Sequence, residues 1–102
     1  MKKYKIQIQD SARGDIQEAV DYYEGQSKGL GRRFVAHIND TSNILKLNSH
    51  FQIKYDEVRC LKIRSFPYAL HYTIIEDKSC VIIQAVIHTA SDPAKAWLWK
   101  DE

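Results

Sequence analysis

The sequence has no apolar run long enough to cross a membrane or to form the core of a secretion signal. A membrane-spanning helix needs about 20 predominantly apolar residues, and no stretch of these 102 residues approaches that length. The segment from Met1 to Gln7 carries lysines but no apolar segment behind them. These absences predict a soluble, cytoplasmic protein with no membrane partner.

Cysteine is scarce, and histidine is scattered. Cys60 and Cys80 lie in strand-like stretches without CxxC spacing, which predicts buried free thiols rather than a disulfide or a metal site. The four histidines fall in different parts of the chain without ligand spacing: His37, His50, His71 and His88. We therefore expect no metal and no cofactor.

An excess of charge of either sign is also missing. Lys and Arg number 15 against 13 Asp and Glu, which gives a formal net charge of +2. A dedicated nucleic-acid module is usually far more basic, so any contact with RNA would need a local patch. The length, with 44% hydrophobic residues, fits one core, and we expect residues 1–102 to form a single domain.

The first half of the chain changes from a strand period to a helical period. Apolar and polar residues alternate over Lys3–Gln9, which predicts a strand. From Ala12 the apolar residues recur at spacings of three and four, with Asp10 or Ser11 as the expected cap. A turn follows, with Gly25 expected in the left-handed conformation and Ser27 as a cap. A second helix is predicted to run from Leu30 to about Leu47, so the two form a helical hairpin.

The second half reads as a loop followed by three strands. Phe51–Glu57 shows no period and is interpreted as a loop. Strands are predicted at Val58–Arg64, Ala69–Ile75 and Cys80–His88, and their short links allow only antiparallel neighbours. Ser91-Asp92-Pro93 then predicts a short helical turn over Ala94–Lys100. The expected fold is α+β, with order β-α-α-β-β-β and the hairpin packed on one face of an antiparallel sheet.

Alternation along the last three strands predicts which face of the sheet the helices leave open. The apolar set expected under the helices is Leu61, Ile63, Leu70, Tyr72, Ile74, Val81, Ile83, Ala85 and Ile87. The set expected on the open face is Cys60, Lys62, Arg64, Ala69, His71, Thr73, Ile82, Gln84, Val86 and His88. Two interpretations stay open, namely an ordinary solvated face and an anion-receiving surface suited to a phosphate backbone.

Several stretches resemble the RelE/ParE toxin superfamily, and they occur in the same order as in that family. They are Asp15-Ile16-Gln17-Glu18-Ala19-Val20-Asp21-Tyr22-Tyr23, Gly29-Leu30-Gly31-Arg32-Arg33-Phe34, Phe66-Pro67-Tyr68, and Val86-Ile87-His88-Thr89-Ala90-Ser91-Asp92-Pro93. Together they span almost the whole chain. The predicted topology also agrees with the fold of that family.

The resemblance implies the growth-inhibiting toxin of a type II toxin-antitoxin system, neutralised by a cognate antitoxin. RelE-like members cut mRNA on the ribosome, whereas ParE-like members poison DNA gyrase without cutting RNA. The long hairpin and the Phe66-Pro67-Tyr68 turn favour the ParE side and its plasmid-stabilisation relatives. The segment Thr89–Pro93 lacks the arginines that relatives usually carry there, so a detoxified, antitoxin-binding module is a third possibility.

The candidate site residues divide between the two activities. A ribonuclease would use Lys62 and Arg64 to hold the scissile phosphate and His88 or His71 as a base. His88 would otherwise simply bond the loop that follows it. Binding of a partner such as the antitoxin is predicted at residues expected to be exposed on the open face and at the start of the second helix. These are Ala69, His71, Ile82, Val86, Arg32 and Arg33, although the two arginines could equally serve solubility.

Overall fold

Within residues 3–90, two α-helices pack on one face of a five-stranded sheet. A computed structural model describes residues 3–90. Its elements are β1 (Lys5–Ile8), α1 (Asp10–Gln26), α2 (Leu30–Leu47), β2 (Ile53–Tyr55), β3 (Val58–Lys62), β4 (Tyr68–Ile75) and β5 (Cys80–His88). The predicted α+β class and the order β-α-α-β-β-β are confirmed, with β2 as an additional short strand. The helical turn predicted at Ala94–Lys100 lies outside the described residues.

The sheet is mixed rather than wholly antiparallel, and the strand order is β1-β5-β4-β3-β2. β1 runs parallel to β5, and the other neighbouring pairs are antiparallel. The expected antiparallel sheet was therefore wrong at one pair. A short link determines the relative direction of the two strands that it joins. Most of the chain separates β1 from β5, so no short link determines their relative direction.

β2 was also missed, because a three-residue strand is too short to show a period. Ile53–Tyr55 lies within the predicted loop Phe51–Glu57 and pairs with β3. The connection between β2 and β3 is the pair Asp56 and Glu57, whose φ angles are 42° and 67°. Two consecutive positive φ angles are typical of the tight turns that join hairpin strands.

A bulge in β5 changes which side chains face the helices. The β4–β5 register pairs Leu70 with Val86 and His71 with Ala85, but Tyr72 with Ile83. Gln84 is thus an extra residue on β5, and an extra residue reverses the alternation beyond it. Val86 and His88 accordingly lie on the helix face, where the sequence pattern had predicted Ala85 and Ile87.

The core lies between the helices and the sheet. Its buried members are Ala12, Ala19, Phe34, Ile38, Leu45, Ile63, Phe66, Leu70, Tyr72, Val81, Ile83 and Val86. At one end, Phe34 packs among the rings of Tyr23, Phe66 and Tyr68, with ring centroids 5.0 to 5.4 Å apart. These edge-on and tilted arrangements are the favourable ones for aromatic pairs. The aromatic cluster therefore joins α1, α2 and the start of β4.

The carboxylate of Glu24, near the end of α1, holds the helical hairpin together by bonding the start of α2. Glu24 accepts hydrogen bonds from the backbone N–H groups of Gly29 and Gly31, both at 3.0 Å, and so satisfies donors that a helix start leaves without partners. Gly29, rather than the predicted Gly25, has the positive φ, at 90°. Helix α1 continues through Gly25 as far as Gln26.

Gly31 lies at a close approach of the two helices, and of the four glycines it alone has neighbouring atoms within 4 Å of an added Cβ. A Cβ atom on Gly31 would lie 2.9 Å from the backbone oxygen of Val20. We expect Gly31→Ala to lower the free energy of unfolding by about 1–3 kcal/mol, because the helices must move apart. Gly14→Ala is the matched control, since nothing lies within 4 Å of its Cβ position, and it should stabilise α1 by about 0.5–1 kcal/mol. Urea denaturation of both variants measures the difference, and equal effects would contradict the close approach.

The Glu24 clamp also predicts a dependence of stability on pH. Its bonds to the N–H groups of Gly29 and Gly31 lower the pKa of the Glu24 carboxyl below the ordinary 4.5. A lowered pKa contributes stability that is present above the ordinary value and is lost as the pH falls through the folded value. Glu24→Gln should therefore destabilise the protein at pH 7 and lose less stability between pH 5 and pH 2. Melting temperatures across this range, with Glu18→Gln as a control on the same helix, test the expectation.

Candidate functional site

A cleft lies between α1 and the end of β5, and we refer to it as the α1–β5 cleft. Its volume is about 370 Å³, and it is lined by Asp15, Glu18, Ala19, Tyr22, Tyr68, Val86, Ile87 and His88. A second cavity of about 420 Å³ adjoins it and shares Tyr22, Tyr68 and His88. The cleft is thus lined by acids, aromatics and one histidine.

The cleft exists because β5 extends further than β1. The pairing of the two strands ends at Ile8 and Ile83, so no strand of residues 3–90 lies beside the outer edge of β5 beyond that point. Side chains of α1 contact this edge instead. Ser11 donates to the carbonyl oxygen of Gln84 at 2.7 Å, and Asp15 accepts the N–H of Val86 at 3.0 Å. These bonds satisfy part of an edge that would otherwise pair with another chain.

One stripe of α1 forms the helical wall of the cleft. Ser11, Asp15, Glu18 and Tyr22 recur at spacings of four, three and four, which places them on one side of a helix. The adjoining stripe carries Ala12 and Ala19 into the core. Glu18 is exposed, and Tyr22 is 59% exposed. The stripe therefore presents a carboxylate and an aromatic ring to solvent at the cleft.

Tyr68 joins the cleft to the aromatic cluster. Its ring lies 5.2 Å from that of Phe34 on one side and 5.1 Å from that of His88 on the other. Burial raises the pKa of the Tyr68 hydroxyl, and the nearby Tyr22 and Glu18 raise it further. The hydroxyl therefore stays protonated at physiological pH and can donate a hydrogen bond.

His88 ends β5 opposite Tyr68, and its ring is oriented by the segment that follows. The N–H of Ala90 donates to Nδ1 of His88 at 3.0 Å. Because Nδ1 accepts this bond, the neutral ring carries its hydrogen on Nε2. The bond that was expected between His88 and the following loop is therefore present.

The predicted phosphate site of Lys62, Arg64 and His88 is not assembled on one face of the sheet. Lys62 pairs with Ala69, which pairs with Ile87, so Lys62 lies on the face away from the helices. The ammonium group of Lys62 lies 3.3 Å from the carbonyl oxygen of Phe66. Arg64 is exposed in the turn between β3 and β4. The expectation that His88 shares the open face with Lys62 was wrong because of the bulge.

Three of the predicted partner-binding residues are buried. Ala69, Val86 and His71 are 0%, 3% and 1% exposed, so the expectation that they are exposed was wrong. Val86 is turned into the core by the bulge. His71 faces away from the helices, and its Nδ1 lies 2.7 Å from the Tyr55 hydroxyl and 3.6 Å from the sulfur of Cys60. The unpredicted strand β2 supplies Tyr55.

The other predicted partner-binding residues differ in exposure. Ile82 is half-buried beside Thr73, and Arg32 and Arg33 are exposed in the first turn of α2. Both cysteines are free thiols, as predicted, but only Cys60 is buried, whereas Cys80 is half-buried. Within residues 3–90, no group of histidine, cysteine or acidic side chains is arranged to hold a metal ion. No helix in that range has the length and apolar character needed to span a membrane.

The cleft-lining residues that the sequence pattern did not single out are Asp15, Glu18 and Tyr22. The helical period had identified the apolar stripe of α1. The polar stripe beside it, at the same spacing, was the available signal. This stripe could not reveal a cleft, however, because the opposite wall is the end of β5. The pattern had assigned the side chains there to the wrong faces of the sheet.

Comparison with known proteins gives both a family and a fold. A sequence model described as the ParE toxin of the type II toxin-antitoxin system parDE matches residues 6–93. A chain of the chromosomal ParDE system from P. aeruginosa superposes with a TM-score of 0.73 at 13% identity, over 84% of this chain and 96% of that chain. A search of curated proteins gave no match.

Two further solved structures have the same fold. A chain of the RelBE2 toxin-antitoxin complex from Mycobacterium tuberculosis gives a TM-score of 0.62 at 18% identity, over 89% of this chain and 97% of that chain. The isolated E. coli RelE toxin gives 0.54 at 13% identity, over 96% of this chain and 97% of that chain. At these identities the likeness concerns the fold.

Proposed function

The chain belongs to the ParE toxin family of type II toxin-antitoxin systems, and from that premise we propose that it stops bacterial growth by binding DNA gyrase. Its action in this proposal is protein contact in the cytoplasm rather than chemistry on RNA. The α1–β5 cleft is the proposed contact surface. The antitoxin neutralises the toxin by forming a complex with it.

The observation that carries the proposal is the chemistry of the cleft. Asp15 and Glu18 place two carboxylates on its helical wall, and Tyr22 exposes 59% of its surface beside them. Carboxylates repel the phosphates of a nucleic acid, whose binding depends on cations. Exposed aromatic rings are enriched at protein–protein contacts, where they supply much of the binding energy. The cleft therefore suits a protein surface with basic and apolar side chains.

The position of the candidate phosphate-binding lysine also favours gyrase over RNA as the target. Cleavage of mRNA needs cations on the scissile phosphate within reach of a base. Lys62 lies on the face of the sheet opposite to His88, and the Nδ1 atom of His88 is engaged by the N–H of Ala90. This separation disfavours the predicted ribonuclease mechanism at these residues.

A supercoiling assay with purified protein tests the proposal. We expect the chain to block the supercoiling of relaxed plasmid by gyrase and to leave ribosome-bound transcripts uncut. Full gyrase activity at saturating toxin would refute the proposal. Transcript cleavage that disappears in the double variant Arg64→Ala, His88→Ala would favour the RelE-like alternative instead. Unimpaired growth on expression, together with tight binding of an antitoxin, would indicate a detoxified member.

A further inference from the structure

The cavity that adjoins the α1–β5 cleft is lined mainly by aromatic rings, and we refer to it as the tyrosine cavity. Its volume is about 420 Å³, and its lining is Tyr22, Tyr23, Pro67, Tyr68 and His88. The cleft beside it has about 370 Å³. Pockets that hold small ligands usually have about 300–1,000 Å³. Each cavity is therefore large enough to take the end of a long side chain.

Two carboxylates supply the negative charge of this site. Asp15 and Glu18 line the cleft, and among the described residues no lysine or arginine lines either cavity. The bond from the N–H of Val86 engages one oxygen of Asp15. The ion pair found within residues 3–90 joins His50 to Glu76, so no cation of that range pairs with Asp15 or Glu18. The site therefore attracts a positive group and repels a phosphate.

The rings of the tyrosine cavity surround it from different directions. Neighbouring rings meet at angles of 68° to 74°, with Tyr23 5.3 Å from Tyr22 and 6.1 Å from Tyr68, and Tyr68 5.1 Å from His88. The face of a tyrosine ring is electrically negative and attracts cations. Tyr22 is 59% exposed, so its ring is accessible to a ligand.

Glu18 lies close to two of these rings. Glu18 and Tyr22 are four residues apart on α1, which places them on one side of the helix. Both of them raise the pKa of the Tyr68 hydroxyl, which requires that they lie near it. An exposed carboxylate and two tyrosine rings therefore surround the same small volume.

We propose that this site binds one arginine side chain of the protein partner, an inference that rests on the α1–β5 cleft being the contact surface of the proposed function. The methylene groups of the arginine cover the apolar lining of the cleft, which is Ala19, Val86 and Ile87. The guanidinium group stacks against Tyr22 and Tyr68, and Glu18 accepts two parallel N–H bonds from it.

The combination of rings and carboxylate favours arginine over lysine. A guanidinium group is planar, stacks on aromatic rings and donates two parallel hydrogen bonds to one carboxylate. A lysine ammonium group is a compact, strongly hydrated charge that can do neither. The site therefore selects a guanidinium group by shape as well as by charge.

The test uses the purified chain and three small probes, the N-acetyl amides of arginine, citrulline and lysine. Citrulline has nearly the shape of arginine but no charge. We expect the arginine probe to bind at millimolar concentration and to shift the NMR signals of Glu18, Tyr22 and Tyr68. The citrulline probe should bind about fivefold more weakly or worse, because it loses an exposed ion pair and a cation–π contact. The lysine probe should also bind more weakly than the arginine probe.

Two variants locate the binding site. Glu18→Gln removes a charge with little change of shape, so it should weaken binding of the arginine probe about twofold to fivefold and leave that of citrulline unchanged. Tyr22→Leu removes a ring but keeps an apolar side chain, and it should weaken binding of the arginine probe by a similar factor. Asp21→Asn is the matched control, because Asp21 is exposed on the same helix and lines neither cavity.

Several results would overturn the inference. They are equal affinity for the arginine and citrulline probes, shifts outside the two cavities, equal binding by Glu18→Gln and Asp21→Asn, and no binding of the arginine probe at millimolar concentration. A lysine probe that binds as tightly as arginine would overturn the assignment to a guanidinium group. Tighter binding of a nucleoside would indicate stacked RNA bases instead.

The supercoiling assay separates this inference from the proposed function. Binding of the arginine probe by a chain that leaves gyrase fully active would refute gyrase as the target and leave the arginine site in place. Inhibition of gyrase by a chain that does not bind the arginine probe would refute the arginine site alone.

Discussion

Replacing Phe34 with alanine should lower the free energy of unfolding by about 3–5 kcal/mol, which is the usual cost of removing a buried aromatic ring. The Phe34 side chain is 0% exposed. Its ring contacts those of Tyr23, Phe66 and Tyr68 at centroid distances of 5.4, 5.0 and 5.2 Å. These partners come from α1, the β3–β4 turn and β4, so the cavity would open where three parts of the fold meet.

Urea denaturation followed by circular dichroism measures this effect. Val35→Ala is the control, because Val35 is the next residue on the same helix and is 37% exposed. We expect it to cost less than about 1 kcal/mol, as is usual for partly exposed positions. A loss in Phe34→Ala no greater than that in Val35→Ala would contradict the packing described for the aromatic cluster.

The same cluster links stability to the proposed site. Tyr68 contacts Phe34 on one side and His88 on the other, so the floor of the α1–β5 cleft is part of the core. A cavity at Phe34 removes the support behind Tyr68. A loss of gyrase inhibition in Phe34→Ala would thus reflect the position of Tyr68 and not a contact made by Phe34.

The helices could be predicted closely because their signals are local. Helix α2 was predicted from Leu30 to about Leu47, and it spans Leu30–Leu47. The apolar residues Phe34, Ile38 and Leu45 follow the helical period, and all three are buried. The predicted ends of β3, β4 and β5 likewise lie within a few residues of the observed ends. In each case a repeat of several residues lies within one segment of sequence.

The sheet pairing could not be predicted in the same way, because it depends on contacts between distant segments. Nothing in residues 5–8 indicates that β1 runs parallel to β5. The bulge at Gln84 is equally hidden, since Cys80–His88 reads as one continuous apolar strand. One extra residue was enough to reverse the faces of Val86 and His88. The candidate site was therefore misplaced, although the strand that carries it was correctly identified.

Combining Glu18→Lys with Tyr22→Ala should weaken gyrase inhibition by about a hundredfold without unfolding the protein. Truncating a central aromatic residue at a protein interface commonly costs 2 kcal/mol or more, which is about thirtyfold in affinity. Reversing the charge of Glu18 adds repulsion against a basic partner surface. Both side chains are exposed in the free protein, so their replacement should change stability by only about 0.5 kcal/mol.

The concentration of toxin that halves supercoiling activity measures this effect, with circular dichroism as the check on folding. Asp77→Lys, which makes the same change of charge at an exposed position between β4 and β5, is the matched control and should inhibit gyrase normally. Equal potency of the cleft variant and this control would exclude the α1–β5 cleft as the contact surface.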